Sequence, residues 1–150
     1  MAIKIDYVSD IACPWCAVGL GGLEQAIKKI GGEFEVDVHF QPFELNPNMV
    51  PEGEDTTEHL RNKYGSTPEQ ANAIRETIRS RGAELGFTFN LDKRSRIYNT
   101  FDAHRLLHWA HEEGGDHQLV TGIFLLAGTV LLVGYRYFIR TDIERARLVR

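Results

Sequence analysis

Two cysteines separated by two residues, Cys13-Pro14-Trp15-Cys16, have the clearest chemical potential in this sequence. A thiolate is the nucleophile in disulfide exchange. A cysteine at a helix N-terminus meets unpaired N–H groups and the positive end of the helix dipole, which both favour the thiolate. The spacing therefore predicts that Cys13 is an exposed attacking thiol with a lowered pKa. Cys16, one helical turn further on, is expected to be the buried thiol that resolves a mixed disulfide on Cys13.

The two residues between the cysteines have expected roles of their own. Pro14 fits the first turn of a helix because its missing N–H had no helical partner, and it should tune the redox potential by limiting how Cys16 relaxes. Trp15 is expected to offer an apolar surface beside the nucleophile. Two other interpretations stay open: a pair of core thiols without chemistry, and half of a zinc site. Zinc would need two more ligands, and no histidine pair follows at the usual spacing.

Three histidines form a second group, because His104, His108 and His111 share one helix face at spacings of four and three residues. Three histidines on one face can bind a metal, but no carboxylate or cysteine nearby completes a known ligand pattern. The sequence therefore favours a polar stripe, either solvated or lining a groove, and we expect no metal site. The apolar residues expected on the opposite, buried face are Ala103, Leu106, Leu107 and Ala110.

The elements that must position the cysteines form a β-α-β unit. Apolar and polar residues alternate over residues 3–7 and again over residues 36–40, which predicts two strands. Between them apolar residues recur at helical spacing from Cys16 to Ile30, and Gly31-Gly32 ends the helix. Such a crossover is normally right-handed and makes the strands parallel. The cysteines thus lie at a strand-to-helix corner, where a Cys-x-x-Cys motif indicates redox chemistry.

Helical patterns dominate after a proline-bearing loop over residues 46–53. A short helix is predicted over residues 57–64. A second helix begins at Thr67-Pro68, where Gln70 completes a capping box, and it ends at Gly86. Its predicted apolar face consists of Ile74, Ile78 and Leu85. Residues 87–90 are predicted to be extended or loop, and a third helix is predicted from about residue 98 to residue 113.

Composition excludes several classes of protein. The chain has 150 residues, of which 43% are hydrophobic and 25% are charged, which is typical of one soluble globular domain. A net charge of −4 does not suit a nucleic-acid-binding domain, so no nucleic-acid partner is expected. The acidic residue Asp6 stands where a signal peptide needs an apolar run. We therefore expect a cytoplasmic location, where stable structural disulfides are rare.

The last 33 residues differ in composition from the rest. Residues 1–117 carry 12 Lys and Arg against 19 Asp and Glu, whereas residues 118–150 carry five Arg and two acidic residues. Residues 118–135 contain no charge, a length that is borderline for a membrane span. By the positive-inside rule, the Arg-rich end would stay in the cytoplasm and the cysteine-bearing part would have to cross without a signal. We therefore do not expect membrane attachment.

Three separated segments carry a family resemblance. Residues 7–16 (YVSDIACPWC), 41–47 (QPFELNP) and 99–106 (NTFDAHRL) resemble the DsbA-family thioredoxin-fold proteins, most of all a FrnE-like branch. That branch is similar to 2-hydroxychromene-2-carboxylate isomerases and is largely cytosolic in bacteria. The isomerases carry a serine where this chain has Cys13, so the cysteine favours redox chemistry. The resemblance covers about residues 3–117.

The resemblance implies an α/β fold with three parts. Residues 1–50 would form the thioredoxin-like β-α-β start, residues 51–117 an inserted α-helical domain, and residues 118–150 an atypical tail. The closing half of the thioredoxin fold, with its cis-proline loop, would be missing, since Pro68 is the last proline. The chain would then be truncated or altered after about residue 117, and the tail a frameshift product, a rearranged C-terminus or an anchor.

The resemblance also implies a substrate groove. The last inserted helix would bring Asn99 and His104 to the cysteine motif, where they would line that groove. For Asn99 a simple helix cap is an equal alternative.

The predicted function is thiol–disulfide exchange by a DsbA-like oxidoreductase or isomerase, with Cys13 and Cys16 as catalytic residues and no cofactor. The expected partner is a disulfide-containing protein or a small thiol such as glutathione. One alternative is a non-catalytic remnant or partner-binding fragment, whose exposed strand edges would pair with another chain. The other alternative is a metal-binding module.

Overall fold

The structure is a computed structural model that describes residues 2–112, except for the side chains of Ala110 and His111. The predictions made for residues 113–150 lie outside the described residues, and the division of the chain at residues 50 and 117 stays a prediction. The elements follow in the order β1 (Ala2–Ser9), α1 (Pro14–Ile30), β2 (Glu35–Pro42), β3 (Glu54–Asp55), α2 (Thr56–Tyr64), α3 (Pro68–Glu84), a 3-10 turn (Leu91–Lys93), β4 (Arg96–Ile97) and α4 (Phe101–Glu112).

The predicted β-α-β unit is confirmed. Strands β1 and β2 pair in parallel, with Ile3 opposite Val36 and Tyr7 opposite Phe40. The rings of Tyr7 and Phe40 meet edge to face, with their centroids 5.8 Å apart. Aromatic pairs prefer this geometry, so the two strands are held together near their carboxyl ends, next to the cysteine motif.

Helix α1 begins directly after Cys13, as predicted. Cys13 has the extended backbone of an N-cap residue (φ −92°, ψ 111°), and Pro14 is the first helical residue. At the other end Gly31 adopts a left-handed conformation (φ 66°) and donates its N–H to the carbonyl of Lys28. Ala17 and Leu20 are the buried residues of this helix, so its core-facing side begins one residue after Cys16.

Strands β3 and β4 form a short antiparallel ribbon that the sequence did not predict. Glu54 lies opposite Ile97, and the Arg96 guanidinium donates to the carbonyl oxygen of Gly53 at 2.8 Å. Each strand has two residues, which is too short for an alternating pattern to be recognised. The ribbon joins the segment after β2 to the segment that leads into α4.

The predicted capping box of α3 is confirmed, but one residue of its predicted apolar face is not. The Thr67 hydroxyl accepts the Gln70 N–H at 3.3 Å, and the Gln70 side chain accepts the Thr67 N–H at 2.9 Å. Ile78 is buried, whereas Ile74 is 45% exposed, so its predicted place on the apolar face is wrong. The buried face includes Gly82 instead. The Phe89 ring packs so closely there that a Cβ on residue 82 would lie 2.6 Å from Cδ2 of Phe89.

Helix α4 starts at Phe101, three residues after its predicted start. Asn99 accepts the N–H of Phe101 at 2.9 Å, and Thr100 accepts the N–H of His104 at 3.0 Å, so these residues precede and cap the helix. The predicted burial of Ala103 and Leu107 is confirmed, and Leu106 is half-buried. Ala103 and Leu107 form a buried cluster with Ile11, which lies between β1 and α1. This packing brings α4 to the cysteine motif.

The helices of residues 2–112 are all too short or too polar to cross a lipid bilayer.

Candidate active site

The two cysteines lie at the N-terminus of α1 with free thiols. The Cys13 N–H donates to the Asp10 carbonyl at 3.0 Å, and the Cys13 carbonyl accepts the N–H of Cys16 at 3.1 Å. Both cysteines are half-buried, so the prediction that Cys16 alone is the buried thiol is wrong. The physical reason is that α1 begins at the edge of the core, and its first buried residue is Ala17.

Acidity, rather than burial, distinguishes the two thiols. A hydrogen bond from the Cys16 thiol lowers the pKa of Cys13 to about 6, helped by the N–H groups of Cys16 and Trp15 and opposed by burial and Asp10. The same hydrogen bond, with burial, raises the pKa of Cys16 far above its usual range. At neutral pH Cys13 is therefore the thiolate and Cys16 keeps its proton, which is the predicted order.

Asp10 is a buried carboxylate that the sequence analysis did not single out. It is 2% exposed, its Oδ1 accepts the Ala12 N–H at 2.9 Å, and its Oδ2 accepts the Leu45 N–H at 2.7 Å. Burial raises the pKa of Asp10, but His104 and the two amides outweigh burial and leave the pKa below its usual value. Asp is common in turns because its side chain accepts the N–H two residues further along the chain. The presence of Asp between the first strand and Cys13 is the sequence signal that could have identified Asp10.

His104 faces Asp10 from α4. Its Nε2 lies 3.1 Å from the carbonyl oxygen of Phe43 and 3.8 Å from Oδ1 of Asp10. A carbonyl can only accept, so Nε2 carries a hydrogen. His104 is 8% exposed, and His108 on the next turn is exposed. The predicted histidine stripe is therefore divided, because packing of α4 on Ile11 buries His104 and leaves His108 in solvent.

Asn99 fastens the start of α4 to the loop after β2. Its side-chain N–H₂ donates to the carbonyl of Pro47 at 3.1 Å and to Glu44 at 3.3 Å. Together with its bond to Phe101, these contacts support the helix-capping interpretation of Asn99. Its predicted place in a substrate groove stays a prediction.

Arg94 is a second charged residue that sequence reasoning missed. Burial lowers the pKa of this guanidinium, and the anionic Cys13 and Asp10 oppose that effect, which places the cation close enough to interact with both. Within the described part of the chain, its guanidinium forms no hydrogen bond or ion pair. The other described arginines all do.

Exposed apolar side chains adjoin the motif. Trp15 is 45% exposed, directly between the two cysteines, and Pro14 before it is half-buried. Phe43 is also exposed, and its N–H donates to the carbonyl of Ser9 at 3.0 Å, so the chain continues beside β1 beyond the end of β2. Contact of Trp15 with a substrate stays a prediction.

The described side chains include no group of three His, Cys, Asp or Glu residues that could hold a metal ion. His111, the third member of the predicted stripe, has its side chain outside the described part of the chain.

A comparison with protein families identifies the chain. The profile of the DSBA-like thioredoxin domain matches residues 4–128. The chain belongs to the DSBA-like thioredoxin domain family. The matched segment of this DSBA-like chain includes both cysteines, Asp10, Arg94, Asn99 and His104. It also runs past residue 117, where the resemblance read from the motifs ends, while the assignment to the FrnE-like branch stays a prediction.

Two relatives are similar over most of this DSBA-like chain. It is 29% identical over 124 residues to the uncharacterized protein YwbO of Bacillus subtilis (strain 168). These 124 residues are 83% of the chain and 56% of YwbO. It is 33% identical to the crystal structure of a probable DsbA oxidoreductase from Streptomyces coelicolor, with a TM-score of 0.72. That match covers 83% of the chain and 54% of the Streptomyces protein. The chain thus spans about half the length of each relative.

Proposed function

We propose that this chain is a thiol–disulfide oxidoreductase in which Cys13 is the nucleophile and Cys16 resolves the mixed disulfide. The observation that carries the proposal is the opposite shift of the two thiols, with the pKa of Cys13 at about 6 and that of Cys16 raised. Catalytic cysteines are thiolates in partly exposed sites, whereas inert structural cysteines are buried thiols. Membership of the DSBA-like family supports the same class of chemistry.

In the first step the Cys13 thiolate attacks one sulfur of a substrate disulfide. A bond forms between that sulfur and Cys13, the substrate S–S bond breaks, and the second substrate sulfur leaves as a thiolate that takes a proton from solvent. The Cys16 thiol and the backbone N–H groups of Cys16 and Trp15 at the start of α1 hold the nucleophile in its anionic form before the attack.

In the second step Cys16 attacks the sulfur of Cys13. Once Cys13 is in a mixed disulfide it carries no charge, so the hydrogen bond that raised the pKa of Cys16 is lost. Cys16 then gives up its proton more easily, the Cys13–Cys16 bond forms, and the remaining substrate sulfur leaves and is protonated. The substrate disulfide has gained two electrons, and the cysteine pair has lost them.

The proposed substrate is a disulfide-containing protein or a small disulfide. Trp15 and Phe43, both exposed next to the motif, would contact the apolar part of such a substrate. A small thiol such as glutathione, or a dithiol protein, would reduce the Cys13–Cys16 disulfide again and close the cycle.

Reduction of insulin by dithiothreitol, followed by turbidity, tests this proposal. The full chain should accelerate the reaction above the uncatalysed rate, Cys13→Ser should abolish the acceleration, and His108→Asn, a change at an exposed site on α4, should preserve it. An uncatalysed rate with the wild-type chain, or full acceleration with Cys13→Ser, would overturn the proposal.

A further inference from the structure

The carboxylate of Asp10 is built into the turn that presents Cys13. One carboxylate oxygen accepts the Ala12 N–H of the turn at 2.9 Å, and the other accepts the Leu45 N–H of the loop after β2 at 2.7 Å. The backbone carbonyl of the same residue accepts the N–H of Cys13 at 3.0 Å. With 2% exposure, the carboxylate is also shielded from solvent, so its charge acts on the cysteines with little screening.

Four groups that can carry charge interact with Asp10. His104 approaches from α4 with its Nε2 3.8 Å from Oδ1, and that Nε2 already donates to the carbonyl of Phe43. Arg94 interacts from the segment before β4, and Cys13 and Cys16 lie on the first turn of α1. The pKa of Asp10 lies below its usual value, so the group is ionised whenever the Cys13 thiolate is present.

An ionised carboxylate in this place has a cost for the reduced protein. Asp10 and Cys13 belong to one turn, and the negative charge of Asp10 opposes the formation of the Cys13 thiolate in the dithiol form. In the disulfide form the sulfur is neutral. The repulsion therefore raises the free energy of the reduced state and leaves that of the disulfide state unchanged. Since stabilisation of the thiolate makes a dithiol pair more oxidising, its destabilisation makes the pair more reducing.

We propose that Asp10 is a positioning residue that fixes the Cys13 turn and makes the Cys13–Cys16 pair more reducing than the same turn would be without its charge. This inference rests on the proposed thiol–disulfide exchange. It assigns Asp10 no contact with substrate, and it predicts that its hydrogen bonds and its charge have separable effects.

Equilibration with mixtures of reduced and oxidised glutathione tests the inference on the full chain, with the disulfide fraction measured by alkylation and mass. Asp10→Asn removes the charge but keeps one acceptor for the Ala12 N–H. Asp10→Ser is a second neutral variant, because a hydroxyl can accept that N–H without placing an amide donor against the Leu45 N–H. Asp102→Asn is the matched control, since Asp102 is exposed on α4 and pairs with Arg105.

Each neutral variant that folds should shift the equilibrium toward the dithiol by about tenfold, which is about 30 mV in reduction potential. The pKa of Cys13 should fall in the same variant, a change that a merely structural residue would not produce. Asp102→Asn should match the wild type. An unchanged equilibrium in a folded neutral variant overturns the inference, and so does failure of both neutral variants to fold, which would leave Asp10 a structural role alone.

The wild type separates this inference from the function on which it rests. If the wild-type cysteines form no disulfide that equilibrates with glutathione, the proposed function fails. If they equilibrate and the neutral variants do not differ from the wild type, only the role of Asp10 fails.

Discussion

The hydroxyl of Tyr7 in β1 donates to the backbone carbonyl of Cys16 in α1, with 2.5 Å between the two oxygens. Burial raises the pKa of Tyr7 to about 12, helped by the two nearby cysteines, so the hydroxyl stays a donor at neutral pH. Gly19 makes the approach possible, because a Cβ at that position would lie 2.9 Å from the Tyr7 oxygen. The sheet therefore positions the first turn of α1 directly, and with it the spacing of the two thiols.

The acidity of Cys13 depends on Cys16. Alkylation of reduced wild-type protein by iodoacetamide should show a rate that rises with a midpoint near pH 6 at Cys13. Cys16→Ala removes the thiol that donates to Cys13, which is the main cause of the low pKa, so the midpoint should move to higher pH. The peptide that carries Cys13 should be followed by mass spectrometry, and an unmoved midpoint would show that the helix terminus alone lowers the pKa.

The low pKa of Cys13 also predicts how stability changes with pH. The folded pKa of about 6 lies below the ordinary value of 9.0, so ionisation stabilises the folded reduced protein. This contribution is fully present above pH 9 and is lost as the pH falls through 6. The free energy of unfolding of the reduced wild type, minus that of Cys13→Ala, should therefore grow between pH 6 and pH 8.5 in urea titrations. A constant difference would contradict the ionisation.

Gly53 should resist substitution more than another glycine of similar conformation. Its φ is +69°, and a Cβ would lie 2.4 Å from the Ile97 carbonyl oxygen. Gly32 has a φ of +82°, and no atom of the described residues would lie within 4 Å of a Cβ at this position, so Gly32→Ala measures the backbone strain alone. That control should lose about 1–2 kcal/mol of unfolding free energy. Gly53→Ala should lose about 1–3 kcal/mol more because of the clash, and equal losses would mean that the β3–β4 ribbon relaxes freely.

Local signals predicted most of the fold. Alternation predicted β1 and β2, and the capping box at Thr67 predicted the start of α3, because these patterns depend on residues close in sequence. The ribbon of β3 and β4 was missed since two-residue strands have no detectable period. Ile74 was assigned to the wrong face because the position of the Phe89 ring against α3 depends on tertiary packing.

The candidate site was predictable only in part. The spacing of Cys13 and Cys16 and the start of the helix predicted which of the two thiols is the more acidic, while the role of Cys13 as nucleophile stays a prediction. The environment of Asp10 was not visible, because its partners Leu45 and His104 lie far away in sequence and reach it only when the loop after β2 and α4 pack on the motif. The burial of His104 has the same origin.

Trapping of a mixed disulfide tests most directly whether Cys13 attacks and Cys16 resolves. Reduced Cys16→Ser protein should be incubated with oxidised glutathione at pH 7 and analysed by intact and peptide mass spectrometry. We predict one lasting glutathione adduct, located on Cys13, because no second thiol remains to displace it. The wild type should lose its adduct quickly and end two hydrogens lighter, as the Cys13–Cys16 disulfide. No adduct on Cys13 in the variant, or an equally lasting adduct in the wild type, would contradict the account.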